Sequence, residues 1–153
     1  MMVLVDTCIW SLALRRDRPN ECHEARELEQ LIRDARVQML GPIRQEILSG
    51  IPSKPHFDRL KTHLAAFPDL AIESEDYVLA ATFFNLCRGK GLQGSNTDFL
   101  ICAVGVRHGL AIYTTDRDFG LFAAHLPIVL YPDAASPRET GLRSAATPPT
   151  SRR

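Results

Sequence analysis

The sequence predicts an α/β fold, namely a three-layer α/β/α sandwich with a mainly parallel central sheet. Short apolar runs with β-branched residues, such as Val3-Leu4-Val5, have the length and composition of buried strands. Longer segments with an apolar face lie between these runs, and strands separated by helices pair in parallel through right-handed crossovers. With 153 residues, 45% hydrophobic and 24% charged, the chain is predicted to form one globular domain.

The chain up to residue 50 is predicted to form two strands and three helices. The first strand runs directly into Asp6, and Pro19-Asn20 marks the loop between the two helices that follow. Pro42 favours the start of the third helix, and Gly50 suits its C-terminal cap. In chain order the elements are strand 3–5, helix 7–14, helix 21–36, strand 37–40 and helix 42–49.

The rest of the folded chain is predicted to contain three helices, a helical turn and two strands. Ser95 and Asp98 form a capping box that opens an apolar helix, and Gly109 suits the end of that helix. Glu75 and Asp76 lie in the first turn of the helix before it, where the helix dipole favours negative charge. In chain order the elements are helix 56–67, an extended piece at 70–72, helix 74–88, helix 95–108, strand 110–115, a helical turn at 119–124 and strand 127–131.

Charge and cysteine content narrow the function classes. Lys and Arg number 18 and so do Asp and Glu, which argues against nucleic-acid affinity driven by bulk charge. The four cysteines form no C-x-x-C pair, so we expect small core residues in a reducing cytosol, with no zinc ribbon or thioredoxin motif. No apolar run approaches a membrane span, so the sequence predicts a cytoplasmic protein without a membrane partner.

Four acidic residues occupy special places in the predicted fold. Asp6 and Asp116 each follow a strand, Glu46 lies one turn into the helix that begins at Pro42, and Asp98 lies in the first turn of a helix. Strand ends and the starts of the following helices share one edge of a parallel sheet, so these side chains can converge. Clustered carboxylates repel one another, and a hard cation such as Mg²⁺ or Mn²⁺ relieves that repulsion. The sequence therefore predicts a metal site.

The chemistry that such a site supports is phosphodiester hydrolysis. One ion lowers the pKa of a bound water, and a second ion, if there is one, holds the phosphate. Thr7, Ser11, Asn96 and Thr115 lie beside the acids in sequence and are predicted to orient them through hydrogen bonds. Asp118 is either a further supporting acid or a turn residue that caps the helical turn after it.

Other readings of the same residues stay open. Singly, Asp6 and Asp98 are ordinary helix-capping or dipole residues, and Glu46 is an ordinary solvated glutamate. A phosphatase of the haloacid dehalogenase type needs a second acid two residues after Asp6, where Cys8 stands. A receiver domain needs paired acids near the first strand, and these are not seen. A catalytically inactive module that binds RNA or protein is the remaining alternative.

Four segments in order resemble a known family. They are 3–10 (VLVDTCIW), 42–50 (PIRQEILSG), 98–103 (DFLICA) and 114–119 (TTDRDF). With these segments the chain to about Tyr131 resembles the PIN domain, and within it the VapC-type toxins of bacterial toxin–antitoxin pairs. The resemblance departs at Cys102, where many relatives have alanine.

The resemblance implies a Mg²⁺-dependent endoribonuclease that cuts RNA and is held inactive by a cognate antitoxin. Asp6, Glu46, Asp98 and Asp116 match the acidic positions of the family, and dimerisation is usual among its members. We therefore expect a PIN-like nuclease domain at 1–131 and a homodimer. Residues 132–153 lose the hydrophobic periodicity and are predicted to form a disordered tail.

Two surfaces have alternative interpretations. An apolar set on the predicted helix 56–67 and beside it either packs into the core or forms a groove for the antitoxin. The set consists of Ile51, Phe57, Leu60, Leu64 and Phe67. Basic residues near helix ends either meet RNA phosphates or are solvated. They are Arg15, Arg16, Arg88, Lys90 and Arg117.

Overall fold

The computed structural model describes residues 1–14 and 22–132, which form a parallel four-stranded sheet with helices packed against it. The sheet has the strand order β2-β1-β3-β4, and all three strand pairs are parallel. This confirms the predicted α/β class. In chain order the elements are β1 (Val3–Val5), α1 (Thr7–Ala13), α2 (His23–Arg33), β2 (Val37–Gln38), α3 (Gly41–Leu48), α4 (Lys54–Leu64), α5 (Ser74–Gly89), α6 (Asn96–His108), β3 (Ala111–Tyr113), α7 (Asp118–Ala123) and β4 (Val129–Tyr131).

Strand β1 lies inside the sheet and is fully buried, as a short β-branched apolar run predicts. Its partners begin level with it, because Val3 pairs with Val37 of β2 and with Ala111 of β3. The backbone N–H of Asp6 donates to the carbonyl of Tyr113 at 2.9 Å, so β1 and β3 also end level. The residues that follow these two strands therefore emerge side by side at one edge of the sheet.

Helix α6 is the most deeply buried helix in the described residues, with its sides against α5 and β3. The predicted capping box is confirmed: Ser95 Oγ accepts from the N–H of Asp98 at 3.1 Å, and Asp98 Oδ2 accepts from the N–H of Ser95 at 3.0 Å. Gly109 adopts a φ of 65° and ends the helix, as predicted. The capping box fixes the helix start, and with it the position of Asp98.

The predicted bounds of helix α4 were wrong by two to three residues at each end. The helix begins at Lys54, because Ser53 Oγ accepts from the N–H of His56 and Pro55 is tolerated in a first turn. It ends at Leu64, where the guanidinium of Arg44 in α3 binds the carbonyl groups of Leu64 and Phe67. A contact from a distant segment thus replaces the last predicted turn.

Other predicted bounds and placements need correction as well. The strand predicted at 37–40 ends at Gln38. The extended piece predicted at 70–72 forms no strand; an isolated bridge lies one residue earlier, between Met39 and Asp69, and the N–H of Leu70 donates to the carbonyl of Met39. The strand predicted at 110–115 covers Ala111–Tyr113. Cys87 and Cys102 are core residues as expected, but Cys8 and Cys22 are only half-buried.

The apolar set near α4 contributes to the core. Leu60 and Leu64 are buried, and Phe67 meets the buried ring of Trp10 edge-on with centroids 5.2 Å apart. These contacts are what the packing interpretation predicts. None of the helices in the described residues is long and apolar enough to cross a membrane. The loop at Pro19-Asn20 and the tail from residue 133 onward lie outside the described residues, so these predictions are untested.

Gly94 sits against two buried aromatic rings and leaves no room for a side chain. A Cβ at this position would lie 2.7 Å from Phe122 Cζ and 2.9 Å from Phe99 Cε2. Both rings are 1% exposed, so neither can move aside freely. We expect Gly94→Ala to lower the free energy of unfolding by about 2 kcal/mol, measured by urea denaturation.

Gly120→Ala provides the matched control, because nothing lies within 4 Å of its Cβ position and it lies inside α7. We expect this variant to have an unchanged or slightly higher free energy of unfolding. Equal stability of the two variants would contradict the tight packing at Gly94.

Candidate metal centre

Asp6 lies at the centre of a hydrogen-bonded group at the carboxyl edge of the sheet. It caps helix α1 and is 8% exposed. Its Oδ1 accepts from the N–H of Thr7 at 2.8 Å, and its Oδ2 accepts from Thr114 Oγ1 at 2.8 Å. Burial raises the pKa of Asp6, these two hydrogen bonds offset the rise only in part, and the negative charge of Asp98 adds to it. The site thus holds a carboxylate whose charge is poorly compensated by the protein.

Thr7 joins Glu46 to this group. The Thr7 hydroxyl donates to Glu46 Oε2 at 2.6 Å, while its backbone N–H donates to Asp6. Glu46 lies in α3, which packs against α1, and its side chain is exposed. The contact spans 39 residues of sequence, so the fold brings Glu46 to the start of α1 as predicted.

Thr114 joins Asp116 to Asp6 on the other side. Its Oγ1 donates to Asp6 Oδ2 and accepts from the N–H of Asp116 at 3.0 Å. Asp116 Oδ1 in turn accepts from the N–H of Asp118, which begins helix α7, at 2.9 Å. Asp116 therefore serves as an acceptor at this helix start, and Asp118 meets it through its backbone.

Asp98 approaches Asp6 from the first turn of α6. Its charge raises the pKa of Asp6, and it also acts on the thiol of Cys102 one turn further along the helix. Burial raises the pKa of Cys102 most, and the charges of Asp98 and then Asp6 raise it further. Cys102 is thus a core residue, as expected, and the charges of both acids affect the pKa of its thiol.

The donor set has the chemistry that a hard divalent cation requires. Three of the carboxylates each use one oxygen within the fold and keep another that accepts no hydrogen bond from the described residues. The open oxygens are Glu46 Oε1, Asp98 Oδ1 and Asp116 Oδ2. In the described part of the chain, no three Asp, Glu, His or Cys side chains lie close enough to hold a metal ion as they stand. The residues therefore fit a cation in two respects: they are carboxylates, and they lie at the same edge of the sheet. Their side-chain positions are set by hydrogen bonds within the protein.

The predicted supporting residues divide into two groups. Thr7 makes the bridging contacts described above. Among the described residues, Thr115 contributes its backbone N–H, which donates to Cys8 Sγ at 3.4 Å, and no side-chain hydrogen bond. Ser11 and Asn96 are exposed, and within the described residues neither hydrogen-bonds one of the four acids. Asp118 was predicted either to support the acids or to cap the helical turn, but its side chain caps nothing: it is the first residue of α7, Arg117 holds the N-cap position, and the backbone N–H of Asp118 donates to Asp116 Oδ1.

Two residues of the site were missed from the sequence. Thr114 binds Asp6 directly, although only its neighbour Thr115 was predicted to support the acids. Cys8 Sγ lies 3.7 Å from Asp6 Oδ2 and 3.5 Å from Thr114 Oγ1. Both follow the ends of β1 and β3, so the placement that pointed to Asp6 and Asp116 was also a signal for them.

Known proteins similar to this chain match it over most of its length. The model of the PIN domain matches residues 3–124. The chain belongs to the PIN domain family. The VapC ribonuclease Mb1587 of Mycobacterium bovis and ribonuclease VapC11 of Mycobacterium tuberculosis are each 32% identical to this PIN domain chain over 126 residues, covering 80% of it and 92% of each relative. Within the family, the chain groups with the VapC-type ribonucleases.

Solved structures agree with this PIN domain fold. FitAcB from Neisseria gonorrhoeae has a TM-score of 0.69 at 21% identity, covering 84% of this chain and 96% of its own. VapBC2 from Rickettsia felis, bound to a DNA fragment from their promoter, has a TM-score of 0.69 at 17% identity, covering 85% of this chain and 97% of its own. At these identities the likeness concerns the fold alone.

Proposed function

We propose that this PIN domain chain is a Mg²⁺-dependent endoribonuclease and the toxin of a toxin–antitoxin pair. The observation that carries the proposal is the hydrogen-bonded series from Glu46 through Thr7, Asp6 and Thr114 to Asp116, at one sheet edge. The 32% identity to VapC-type ribonucleases supports the choice of RNA as substrate.

Asp6, Glu46, Asp98 and Asp116 are the residues that would hold the metal, and Mn²⁺ is a chemically similar substitute. The bound ion supplies a lowered pKa for attacking water and positive charge for the phosphate. Thr7 orients Glu46 relative to Asp6, and Thr114 orients Asp6 relative to the Asp116 backbone. The capping box holds Asp98 at the start of α6, so each acid is attached to a fixed element.

A second candidate function is a catalytically inactive PIN domain that binds RNA or a protein partner. It is favoured by the spacing of the acids, since no three of them in the described residues stand close enough for metal ligation. The two candidates differ in one observable property, which is cleavage of RNA that depends on both a divalent ion and Asp98.

The test is incubation of the purified full chain with single-stranded RNA in Mg²⁺, with an EDTA arm and an Asp98→Asn variant. Asparagine keeps an oxygen that can accept from the N–H of Ser95, so the helix start is preserved. We expect the unaltered protein to cleave in Mg²⁺, and we expect no cleavage in EDTA or by Asp98→Asn. Gel analysis of end-labelled RNA measures the products.

Asp58→Asn is the matched control, because Asp58 is an exposed acid on α4 that pairs with Lys54. This control should cleave at the normal rate. Equal cleavage by Asp98→Asn would assign the activity to a contaminant or another site. No cleavage with any divalent ion would favour the binding module.

The proposed partners are an antitoxin and a second copy of the chain. Structural neighbours include VapBC2 with promoter DNA and FitAB bound to the IR36 DNA fragment, in keeping with an antitoxin partner for this chain. A small DNA-binding protein encoded beside this gene, co-purifying with the chain and suppressing cleavage, is the expected finding. Gel filtration with light scattering measures the homodimer.

A further inference from the structure

A cleft opens between α5 and α6, beside the helix start that carries Asp98. Its volume is about 420 Å³, which falls within the ~300–1,000 Å³ typical of small-molecule sites. The cleft and the acids share the first turn of α6, because Asn96 and Thr97 line the cleft and Asp98 follows them directly. Its remaining lining is contributed mainly by one face of α5.

The cleft exists because small residues separate two aromatic residues on that face of α5. Ala80 and Ala81 lie between Tyr77 and Phe84, and alanine side chains are too short to fill the space towards Asn96. Phe84 packs edge-on against the buried ring of Phe99, with centroids 5.5 Å apart. That contact holds the Phe84 ring in place at the wall of the cleft.

The lining combines flat aromatic groups with amide side chains. Phe84 and Tyr77 provide ring surfaces, while Asn85, Asn96 and Thr97 provide hydrogen-bond donors and acceptors. An unpaired nucleobase has the complementary features, namely two flat faces for stacking and an edge of donors and acceptors. Asn85 and Asn96 are exposed, so their amide groups are free to meet the polar edge of a base that stacks on the ring beside them.

We propose that this cleft binds one unpaired base of the RNA, close to the phosphodiester that is cleaved. This inference rests on the proposed ribonuclease function. The base stacks on Phe84 and is read by Asn85 and Asn96, so the cleft sets the sequence preference on one side of the cleavage point. Since the chain has equal numbers of acidic and basic residues, bulk charge contributes little affinity for RNA, and local contacts of this kind add to those that a metal ion would make with the phosphate.

The surface continues beyond Phe84 into a second cleft. This cleft has a volume of about 240 Å³ and is lined by Arg88, Gln93 and Gly94, with Phe84 and Phe99 shared between the two. Arg88 is exposed and lies one helical turn after Phe84. An RNA strand whose base occupies the first cleft could therefore place its next phosphate near the Arg88 guanidinium and its next base near the Gln93 amide.

The test compares Phe84→Leu and Asn85→Ala with the unaltered full chain. Leucine keeps apolar packing against Phe99 but removes the stacking surface, and Asn85 is exposed, so neither change threatens folding. Gln30→Ala, which removes an exposed amide from α2, is the matched control. Circular dichroism melts verify that all variants are folded.

Two readouts are used. Fluorescence anisotropy measures binding of single-stranded RNA in EDTA, which removes the divalent ion needed for cleavage, and sequencing of products from a randomised RNA pool in Mg²⁺ measures base preference. We expect Phe84→Leu to bind about tenfold more weakly. We expect Asn85→Ala to lower the preference for the favoured base about tenfold at one position near the cut, and Gln30→Ala to change neither.

Unchanged affinity and unchanged preference in both cleft variants would overturn the inference. So would an altered oligomeric state with an unchanged cleavage pattern, because the cleft would then be covered by a second copy of the chain. If no RNA is cleaved but Phe84→Leu still weakens binding, the nuclease proposal fails and the base site stands. If both variants cleave RNA with the affinity and base preference of the unaltered protein, the nuclease proposal stands and the base site fails.

Discussion

Asp6→Asn is expected to lower RNA cleavage by on the order of 10³-fold while the protein stays folded. In the proposed function, loss of one carboxylate would weaken binding of the cation, and several kcal/mol of charge stabilisation correspond to a loss of activity of this size. The asparagine oxygen can still accept from the N–H of Thr7, and its amide can donate to Thr114 Oγ1. Initial cleavage rates with Mg²⁺ measure the effect.

Stability separates loss of the site from loss of the fold in this variant. Because the folded pKa of Asp6 is raised, its charge opposes folding at every pH above that pKa, and asparagine removes this cost. In EDTA we therefore expect an equal or higher Tm for Asp6→Asn. Millimolar Mg²⁺ or Mn²⁺ should raise the Tm of the unaltered protein by linkage and raise that of the variant less. An identical rise in both would contradict metal binding at Asp6.

The placement of the acids could be predicted because it depends on local patterns and one topological rule. A buried β-branched run ending in Asp6, and a similar run ending before Asp116, are visible without any tertiary contact. Parallel pairing then sends both strand ends to one edge, and the level ends of β1 and β3 are the structural expression of that rule. The position of Asp98 could likewise be predicted, because the capping box with Ser95 is a local sequence pattern.

Contacts made by single atoms across long sequence separations could not be predicted. To predict that Thr114 and not Thr115 donates a hydrogen bond to Asp6, one must know the end of β3 to within one residue, because successive side chains of a strand point to opposite faces. The end of α4 is set by Arg44, a residue 20 positions before Leu64. The side-chain positions of the four acids, among which no three in the described residues are close enough to share a metal ion, likewise depend on single hydrogen bonds such as that from Thr7 to Glu46.

The least predictable feature lies at the other end of α6 from Asp98. Asp76 appeared in the sequence as a favourable residue of a first helical turn, yet it is completely buried. Its Oδ1 accepts from Arg107 Nη1 at 2.6 Å and lies 3.3 Å from His108 Nε2, and its Oδ2 accepts from the N–H of Glu73 at 2.8 Å. Asp76 thus joins the start of α5 to the end of α6, the helix whose other end carries Asp98.

Asp76→Asn is expected to lower the free energy of unfolding by about 2 kcal/mol, because a neutral amide weakens the charge-assisted hydrogen bonds that the buried carboxylate accepts from Arg107 and from the N–H of Glu73. The Arg107 side chain is 28% exposed, so its guanidinium stays solvated in the variant. The corresponding fall in Tm is roughly 6 °C. Glu73→Gln is the control: that carboxylate is 60% exposed and 3.5 Å from Arg107, so we expect a change within about 0.5 kcal/mol.

The pH dependence of this difference identifies the charge of Asp76 as its cause. Burial raises the pKa of Asp76, but the hydrogen bonds from Glu73 and Arg107 and the charge of Arg107 outweigh it, so the folded pKa lies below the ordinary 3.8. The charged carboxylate therefore stabilises the fold above pH 3.8, and that stabilisation is lost as the pH falls through the folded pKa. Urea denaturation should give a difference between the two proteins at neutral pH that shrinks below about pH 4. A difference that persists unchanged into strong acid would mean that packing, and not the ion pair, holds this end of α6.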